Sequence, residues 1–380
     1  MTRYAKLVAC LVLMLCVDAA LAQTAVIDSV AFIYVSSNPS QGDYQINGFA
    51  AAANGVLVPI SGSPFQADVQ NMALNGKYLF GTNGTYIYSF SIAPDGSLAE
   101  TGSINAQQYN DAACGGPVAL FLDHSGATLY DEDVYGNNCA NNTYQFFNID
   151  NGTGALTYLG MTSEAGENFW VPLSFIGNNL YAYGSFCYHF DPALFGFQRD
   201  GDGTLTGLKI NPPMPAAQSG DFYCPYLSAE DPTNNLAVSV QELDGSTWLP
   251  VRAPQLATYT ADNSGNLTTN SKFSNMPSTA VQSVADIWMS PSGQLLAVGG
   301  TGGLQVFHFN GSNPITHYTR LLTRDPIDQF FWDNANHLYA ISRSAGKLYV
   351  FTITPTSVSQ APGSPHAISN PQNIIVLPKT

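Results

Sequence analysis

The feature that most constrains this chain is a short phrase that recurs along its length. The clearest copy runs from Asp286 to Ile315, where three apolar runs are separated by a Ser-Pro-Ser-Gly turn and a glycine break. Short apolar runs joined by tight turns are typical of antiparallel strands. A lone sheet of this size leaves an apolar face in water, so it is stable only when several copies pack around an axis.

The middle run of the phrase occurs seven times. The copies begin at Phe32, Lys77, Ala127, Asn178, Asn234, Gln294 and His337. A Gly-x-Leu turn follows most copies, and its glycine supplies the positive backbone angle that a tight hairpin requires. We therefore predict an all-β fold, namely a seven-bladed β-propeller with four-stranded antiparallel blades.

The two ends of the chain complete one blade in this interpretation. Residues 23–60 contain a second, third and fourth strand, whereas Asn370 to Pro378 has the pattern of a first strand with nothing after it. Pairing the two segments removes free sheet edges. We expect residues 23–380 to form a single propeller domain that is closed by its C-terminal strand.

Residues 1–22 have the pattern of a signal peptide. Arg3 and Lys6 precede an apolar stretch, and Ala20-Leu21-Ala22 forms a small-residue cleavage site. The stretch is shorter than the roughly 20 residues that span a bilayer. We expect cleavage near Ala22 and a secreted or periplasmic monomer without a membrane span. The net charge of −15 also argues against nucleic acid as a partner, since it repels phosphate.

Four cysteines follow the signal segment, and an even number in an exported chain favours disulfides. Of the three pairings that Cys114, Cys139, Cys187 and Cys224 allow, we favour Cys114 with Cys139 and Cys187 with Cys224. The predicted blade order places all four on one face, and these two pairs close the shorter loops.

Several phrases together resemble the lactonase-like seven-bladed propellers, which include 6-phosphogluconolactonases and a muconate cycloisomerase. They are YVSSN near the start, GSPF at Gly62–Phe65, its echo GSPH at Gly363–His366, and the turns SPSGQLLAV and DPTNNLAV. The resemblance implies the fold for the whole chain after residue 22. It implies much less about activity, because one fold hosts many functions.

Active members of that family carry a Pro-Arg-His phrase on an innermost strand, and this chain has none. Alignment on the turns puts Val69, Ala119, Trp170, Tyr226, Asp286, Asp328 and Asn373 at the histidine position. Two alternatives follow for the polar members. Asp286, Asp328 and Asn373 either bind the backbone of the innermost strands or hold Ca²⁺, the one cofactor that the sequence suggests.

The connections predicted to be long loops are residues 184–192, 211–225 and 241–254, all on one face. They carry His189, Trp248 and Arg252 toward Trp170 and Tyr226 at the mouth of the central channel, and Asn373 joins them there as a candidate ligand-binding residue. We predict a binding module for a protein or glycan, acting through this face around blades three to five. The alternative is a hydrolase of a non-phosphorylated lactone, with Asp286 and Asp328 as base and orienting group.

Overall fold

The computed structural model describes residues 28–40, 42–109, 117–133, 143–163, 172–188 and 191–379. Within these ranges the chain forms seven antiparallel sheets, each with four main strands, and two of the sheets have a short fifth strand. In six of the sheets the four main strands follow sequence order from the axis outward. The predicted seven-bladed propeller is confirmed. No helix in these ranges is long and apolar enough to cross a membrane.

The first blade takes its innermost strand from the C-terminal end, as predicted. From the axis outward it contains β30 (Pro371–Pro378), β1 (Ser29–Ser37), β2 (Gln45–Ala52) and β3 (Leu57–Pro59). Tyr34 pairs with Ile375 and Ser36 with Asn373 across the β1–β30 junction. The ring is therefore closed by hydrogen bonds between the two ends of the chain.

The other blades follow in chain order. Blade two contains β5 (Asn71–Leu74), β6 (Tyr78–Thr82), β7 (Tyr86–Ile92) and β8 (Leu98–Asn105). Blade three contains β9 (Pro117–Leu122), β10 (Thr128–Asp133), β11 (Thr143–Ile149) and β12 (Leu156–Ser163). Blade four contains β13 (Ser174–Phe175), β14 (Tyr181–Tyr188), β15 (Asp191–Arg199) and β16 (Leu205–Leu208). A single 3-10 turn, Ala106–Tyr109, follows blade two.

Blades five to seven complete the ring. Blade five contains β17 (Asp221–Glu230), β18 (Asn235–Asp244), β19 (Gln255–Ala261) and β20 (Leu267–Thr268). Blade six contains β21 (Val284–Met289), β22 (Leu295–Gly300), β23 (Gly303–Asn310) and β24 (Asn313–His317). Blade seven contains β25 (Gln329–Trp332), β26 (His337–Ser342), β27 (Lys347–Thr354) and β28 (Ser357–Gln360).

The two related GSPF and GSPH phrases have equivalent structures. Each leads into a two-residue strand, β4 (Phe65–Gln66) or β29 (His366–Ala367), which pairs with the third strand of its own blade. The repeated phrase in the sequence therefore corresponds to the same short fifth strand in blades one and seven.

The apolar core is divided into seven clusters, one between each pair of neighbouring blades. Buried tyrosines of the second strands add polar contacts between blades. The hydroxyls of Tyr34, Tyr130 and Tyr183 donate to the carbonyls of Gly96, Gly203 and Gly265 at 2.7, 2.7 and 2.9 Å. Each glycine belongs to a Gly-x-Leu turn of the next blade and has a positive φ. The repeated tyrosine and the repeated glycine turn therefore form the same hydrogen bond between three pairs of neighbouring blades.

The turns between first and second strands gather on one side of the ring, which we call the turn face. Asp231 and Asp333 each accept hydrogen bonds from two backbone amides of their own turn. These carboxylates therefore hold the geometry of their turns. The opposite side, which we call the loop face, carries the connections between second and third strands.

Blade five extends beyond the others on the loop face. Its strands β17 and β18 have ten residues each, and Phe222 pairs with Leu243 near their outer end. Residues 221–225 and 241–244, which we predicted to be loop, are therefore strand, and residues 184–188 and 191–192 belong to β14 and β15. The prediction of loops was wrong there because cross-strand pairing overrides the local glycine and proline content.

Candidate functional site

A cavity of about 400 Å³ lies on the propeller axis. All seven innermost strands or the residues next to them contribute to its wall. Its polar lining includes Asn71, Ser174, Ser228, Asp286, Gln329 and Asn373. A channel of this kind places side chains from every blade around one small volume, so it is the first candidate for a ligand site.

Three of these polar side chains link neighbouring blades. Asp286 accepts a hydrogen bond from the amide of Phe330 at 2.9 Å, Gln329 from Ile374 at 2.8 Å, and Asn373 from Met72 at 3.0 Å. In each case the acceptor is on one innermost strand and the amide is on the next. We call Asp286, Gln329 and Asn373 the polar belt. It satisfies backbone amides that face the channel, which agrees with the backbone-binding alternative.

Asp286 is also the titratable member of the belt. Burial in the channel raises the pKa of its carboxyl to about 7, although hydrogen bonds from Phe330, Ile287 and Trp288 act in the opposite direction. The desolvation of a carboxylate favours its protonated form. Near neutral pH this group is therefore present both as an acid and as a base.

The structure brings together two of the three residues predicted to hold calcium. Asp286 and Asn373 both line the channel, whereas the carboxylate of Asp328 accepts a hydrogen bond from the amide of Arg343 at 2.7 Å. In the strand register the channel position belongs to Gln329. A one-residue error moves a side chain to the other face of a strand, because side chains alternate.

Calcium remains a prediction. Among the described residues, no group of three or more His, Cys, Asp or Glu side chains is placed to hold a metal ion. The oxygens of Asp286 and Asn373 already accept backbone hydrogen bonds. No step below depends on calcium.

Below the polar belt the channel has an aromatic layer that the sequence analysis did not identify. Trp288 and Phe331 line the cavity, with ring centroids 4.4 Å apart. Each lies two residues after a belt residue, Asp286 or Gln329, on the same face of its strand. Strict alternation counted from Asp286 would have found Trp288.

On the loop face, one disulfide joins blades four and five. Cys187 on β14 is bonded to Cys224 on β17, and their Cα atoms are 5.4 Å apart. This predicted pair is confirmed. It fastens the extended part of blade five to its neighbour.

The residues predicted to bind a ligand on this face have unequal positions. Tyr226 is 50% exposed on β17, next in sequence to the channel-lining Leu227, whereas Trp248 packs edge-on against Phe222 with centroids 5.4 Å apart. Arg252 forms an ion pair with the buried Glu242 and lies 4.5 Å from the ring of Phe273. Trp248 and Arg252 therefore brace the blade-five extension, and Tyr226 is the one of the three that is open to solvent.

Comparison with solved structures identifies the architecture. A candidate 6-phosphogluconolactonase of Bacteroides uniformis has 12% identity and a TM-score of 0.59, covering 91% of this chain and 99% of that one. A protein from Lactobacillus plantarum has 13% identity and a TM-score of 0.64, covering 92% and 99%. A periplasmic gluconolactonase of Pseudomonas aeruginosa has 12% identity and a TM-score of 0.64, covering 91% and 98%. The chain has the lactonase-like propeller fold.

At these identities the likeness is one of fold alone. No protein-family model matches the sequence, and no curated protein matches it. The channel of this propeller also has its own chemistry, since none of the described residues that line it is Lys or Arg. That agrees with the missing Arg-His phrase, and it leaves the site suited to neutral or cationic molecules.

Four residues of the predicted site lie outside the described part of the chain. They are Cys114, Cys139, Trp170 and His189. The Cys114–Cys139 pair and the two ligand-binding assignments therefore stay predictions, as does the signal segment at residues 1–22.

Proposed function

We propose that this chain is an exported binding module that holds a protein or a glycan through the loop face around blades three to five. The observation that carries the proposal is a set of exposed apolar side chains on the blade-five extension. Tyr226, Leu249 and Val251 are 50, 65 and 43% exposed. Leu249 and Val251 lie two residues apart in the connection after β18, and exposed apolar side chains that are close together mark surfaces that bind partners.

The rigidity of this surface supports the same proposal. Three contacts stabilise the extension. They are the Cys187–Cys224 disulfide, the Arg252–Glu242 ion pair and the packing of Trp248 on Phe222. A surface that is ordered before binding loses less entropy when a ligand arrives. The disulfide and the signal-like start of the chain support a location outside the cytoplasm, secreted or periplasmic.

A direct test compares Leu249→Asp with Leu180→Asp on a glycan array and on a panel of purified extracellular proteins. Leu180 is 51% exposed and lies in blade four, in the turn between β13 and β14. We expect the wild type and Leu180→Asp to bind the same ligand and Leu249→Asp to lose at least tenfold in affinity. A ligand that binds all three proteins equally well, or no ligand on either panel, would contradict the proposal.

A second candidate function, hydrolysis of a neutral lactone, is favoured by Asp286. A carboxyl with a pKa of about 7 inside a cavity of about 400 Å³ suits general base catalysis. In this proposal the Asp286 carboxylate takes a proton from water as the water oxygen bonds to the lactone carbonyl carbon. The tetrahedral intermediate then breaks its ring C–O bond, and the ring oxygen receives the proton, giving a hydroxy acid.

Neutral substrates fit this channel better than phosphorylated ones, because no Lys or Arg is among the described residues that line it. The gluconolactonase named among the structural neighbours adds a precedent for such chemistry on this fold. Gln329 and Asn373 lie beside Asp286 in the belt and are suited to orient a hydroxylated ring. Asp328, the predicted orienting group, is engaged with Arg343 instead.

The test is turnover of uncharged sugar lactones and aliphatic lactones, measured from pH 5 to 9. We expect the rate to rise with pH around 7, and Asp286→Asn to abolish turnover. Asp328→Asn tests the remaining prediction, since only an orienting role in the reaction would make it slow. If no lactone is hydrolysed faster than the uncatalysed rate, the proposed lactone hydrolysis is contradicted and the proposed binding function remains.

A further inference from the structure

The channel has a second mouth on the turn face, beside a cavity of its own. This cavity measures about 360 Å³ and is formed by turns of four successive blades, three to six. His124, Glu230 and Trp288 line both this cavity and the channel. These three residues therefore lie at the opening of the channel on the turn face.

His124 and Glu230 form an unusual contact across the mouth. His124 follows β9 in blade three and Glu230 ends β17 in blade five, so the pair spans blade four, where Gly177 lies beneath it. The distance between Nε2 and Oε1 is 3.8 Å, and the side chains are 39 and 23% exposed. An ion pair at this distance and exposure contributes little to stability. Its position at an opening suggests a role other than holding the ring together.

The other charges nearby are already engaged. Asp123, next to His124, is buried against the guanidinium of Arg199. Asp231, next to Glu230, accepts hydrogen bonds from Thr233 and Asn235 in its own turn. Within the described ranges, the ion pair of the Glu230 carboxylate is with His124, whereas Asp231 in the same cavity wall is engaged by its own turn. Trp288, Pro232 and Pro291 supply apolar walls of the cavity.

We propose that this mouth binds a small organic ammonium ion. The carboxylate of Glu230 supplies the opposite charge, the indole of Trp288 supplies an aromatic surface of the kind that attracts cations, and the prolines contact the alkyl groups. The net charge of −15 raises the local concentration of cations around the whole molecule. The site uses neither Asp286 nor the loop face, so it is independent of both functions proposed above.

The contact with His124 makes this site depend on pH. The carboxylate of Glu230 raises the pKa of His124 against the effect of burial, and the nearby Asp123 and the backbone of Gly177 raise it further. Below that pKa the imidazolium occupies Glu230 and competes with the ligand. Above it the imidazole is neutral, and the carboxylate is available to the ammonium ion. Affinity is therefore expected to rise as the pH rises through the pKa of His124.

The experiment titrates the protein with tetramethylammonium, followed by tryptophan fluorescence and calorimetry, and uses tert-butanol as a neutral probe of similar size. At pH 8.5 we expect saturable binding of tetramethylammonium only. Glu230→Gln should weaken it at least tenfold, and Trp288→Leu several-fold. Asp202→Asn, at an exposed turn of blade four, is the matched control and should bind like the wild type.

The pH profile gives a second, independent readout. Affinity of the wild type should rise between pH 5.5 and 8.5, whereas His124→Gln should bind equally well across this range. The difference between the pH profiles of the wild type and His124→Gln tests the ammonium site even if Glu230→Gln proves unstable. Equal binding of the ammonium and the alcohol, no binding of either, or a wild-type affinity that is unchanged in both Glu230→Gln and His124→Gln, would overturn the proposal.

Discussion

At the scale of single residues, Asp286 joins a structural and a titrating role. Each of its two carboxylate oxygens accepts one backbone amide, Oδ1 that of Ile287 and Oδ2 that of Phe330. The pKa of this carboxyl, however, is raised by its burial in the channel. Residues of this kind occur where a fold needs a polar contact in a place that water reaches poorly.

The raised pKa of Asp286 predicts how stability depends on pH. The folded state keeps the proton up to about pH 7, whereas the unfolded state loses it near the ordinary carboxyl pKa of 3.8. The unfolded state therefore binds fewer protons between these two values, and the contribution of this group to stability falls as the pH rises through that window. Asp286→Asn removes the effect. We expect the melting temperature of the variant, relative to that of the wild type, to increase as the pH rises from 4.5 to 7.5, as measured by calorimetry. Melting temperatures that change with pH in the same way for both proteins would contradict the raised pKa of Asp286.

At the scale of elements, the ring is held by contacts that repeat from blade to blade. The tyrosine hydroxyl of one second strand reaches the glycine turn of the next blade, and burial raises the pKa of Tyr34, Tyr130 and Tyr183. Because these hydroxyls remain protonated, they donate at every accessible pH.

The Tyr34→Phe variant tests this contact. It leaves the buried carbonyl of Gly96 without the hydroxyl that lies 2.7 Å away, and a lost buried hydrogen bond costs about 1 to 3 kcal/mol. Urea denaturation should show this loss in the free energy of unfolding. Tyr86→Phe is the control, since that ring is 39% exposed. An equal effect of the two substitutions would show that the hydroxyl of Tyr34 contributes nothing.

The disulfide between blades four and five gives a second prediction at this scale. Cys187 and Cys224 are 37 residues apart, and closing a loop of that length stabilises the folded state by about 3 to 4 kcal/mol. The double variant Cys187→Ser/Cys224→Ser should lose about this much. Any sensitivity to dithiothreitol that remains in the double variant would report the predicted Cys114–Cys139 pair. A wild type whose denaturation is unchanged by dithiothreitol would contradict a stabilising bridge.

At the scale of the whole molecule, stability depends on closure of the ring. Strand β30 covers the inner edge of β1, and Ile374 is fully buried between the first and last blades. Ile374→Ala should cost about 2 to 5 kcal/mol and lower one cooperative transition, since every blade depends on its neighbours. Leu180→Ala, at a side chain that is 51% exposed, should have almost no effect. Two separate transitions in the Ile374→Ala variant would show that the blades unfold independently.

The sequence by itself determined the number of blades, the positions of the second strands and the closure by the C-terminal strand. These features follow from local patterns, namely apolar runs, tight turns and alternation, and each is repeated often enough to be recognised. It also favoured the Cys187–Cys224 pair, because the blade order placed all four cysteines on one face and this pairing closes the shorter loops.

Only the tertiary structure decided which side chains face the channel. Gln329 takes the place predicted for Asp328, and Trp288 supplies an aromatic wall, because a strand register is set by pairing with its neighbours. The strands of blade five continue through residues predicted to be loop for the same reason. The contact between His124 and Glu230 joins blades that are not adjacent, and no local pattern encodes a distance across a ring.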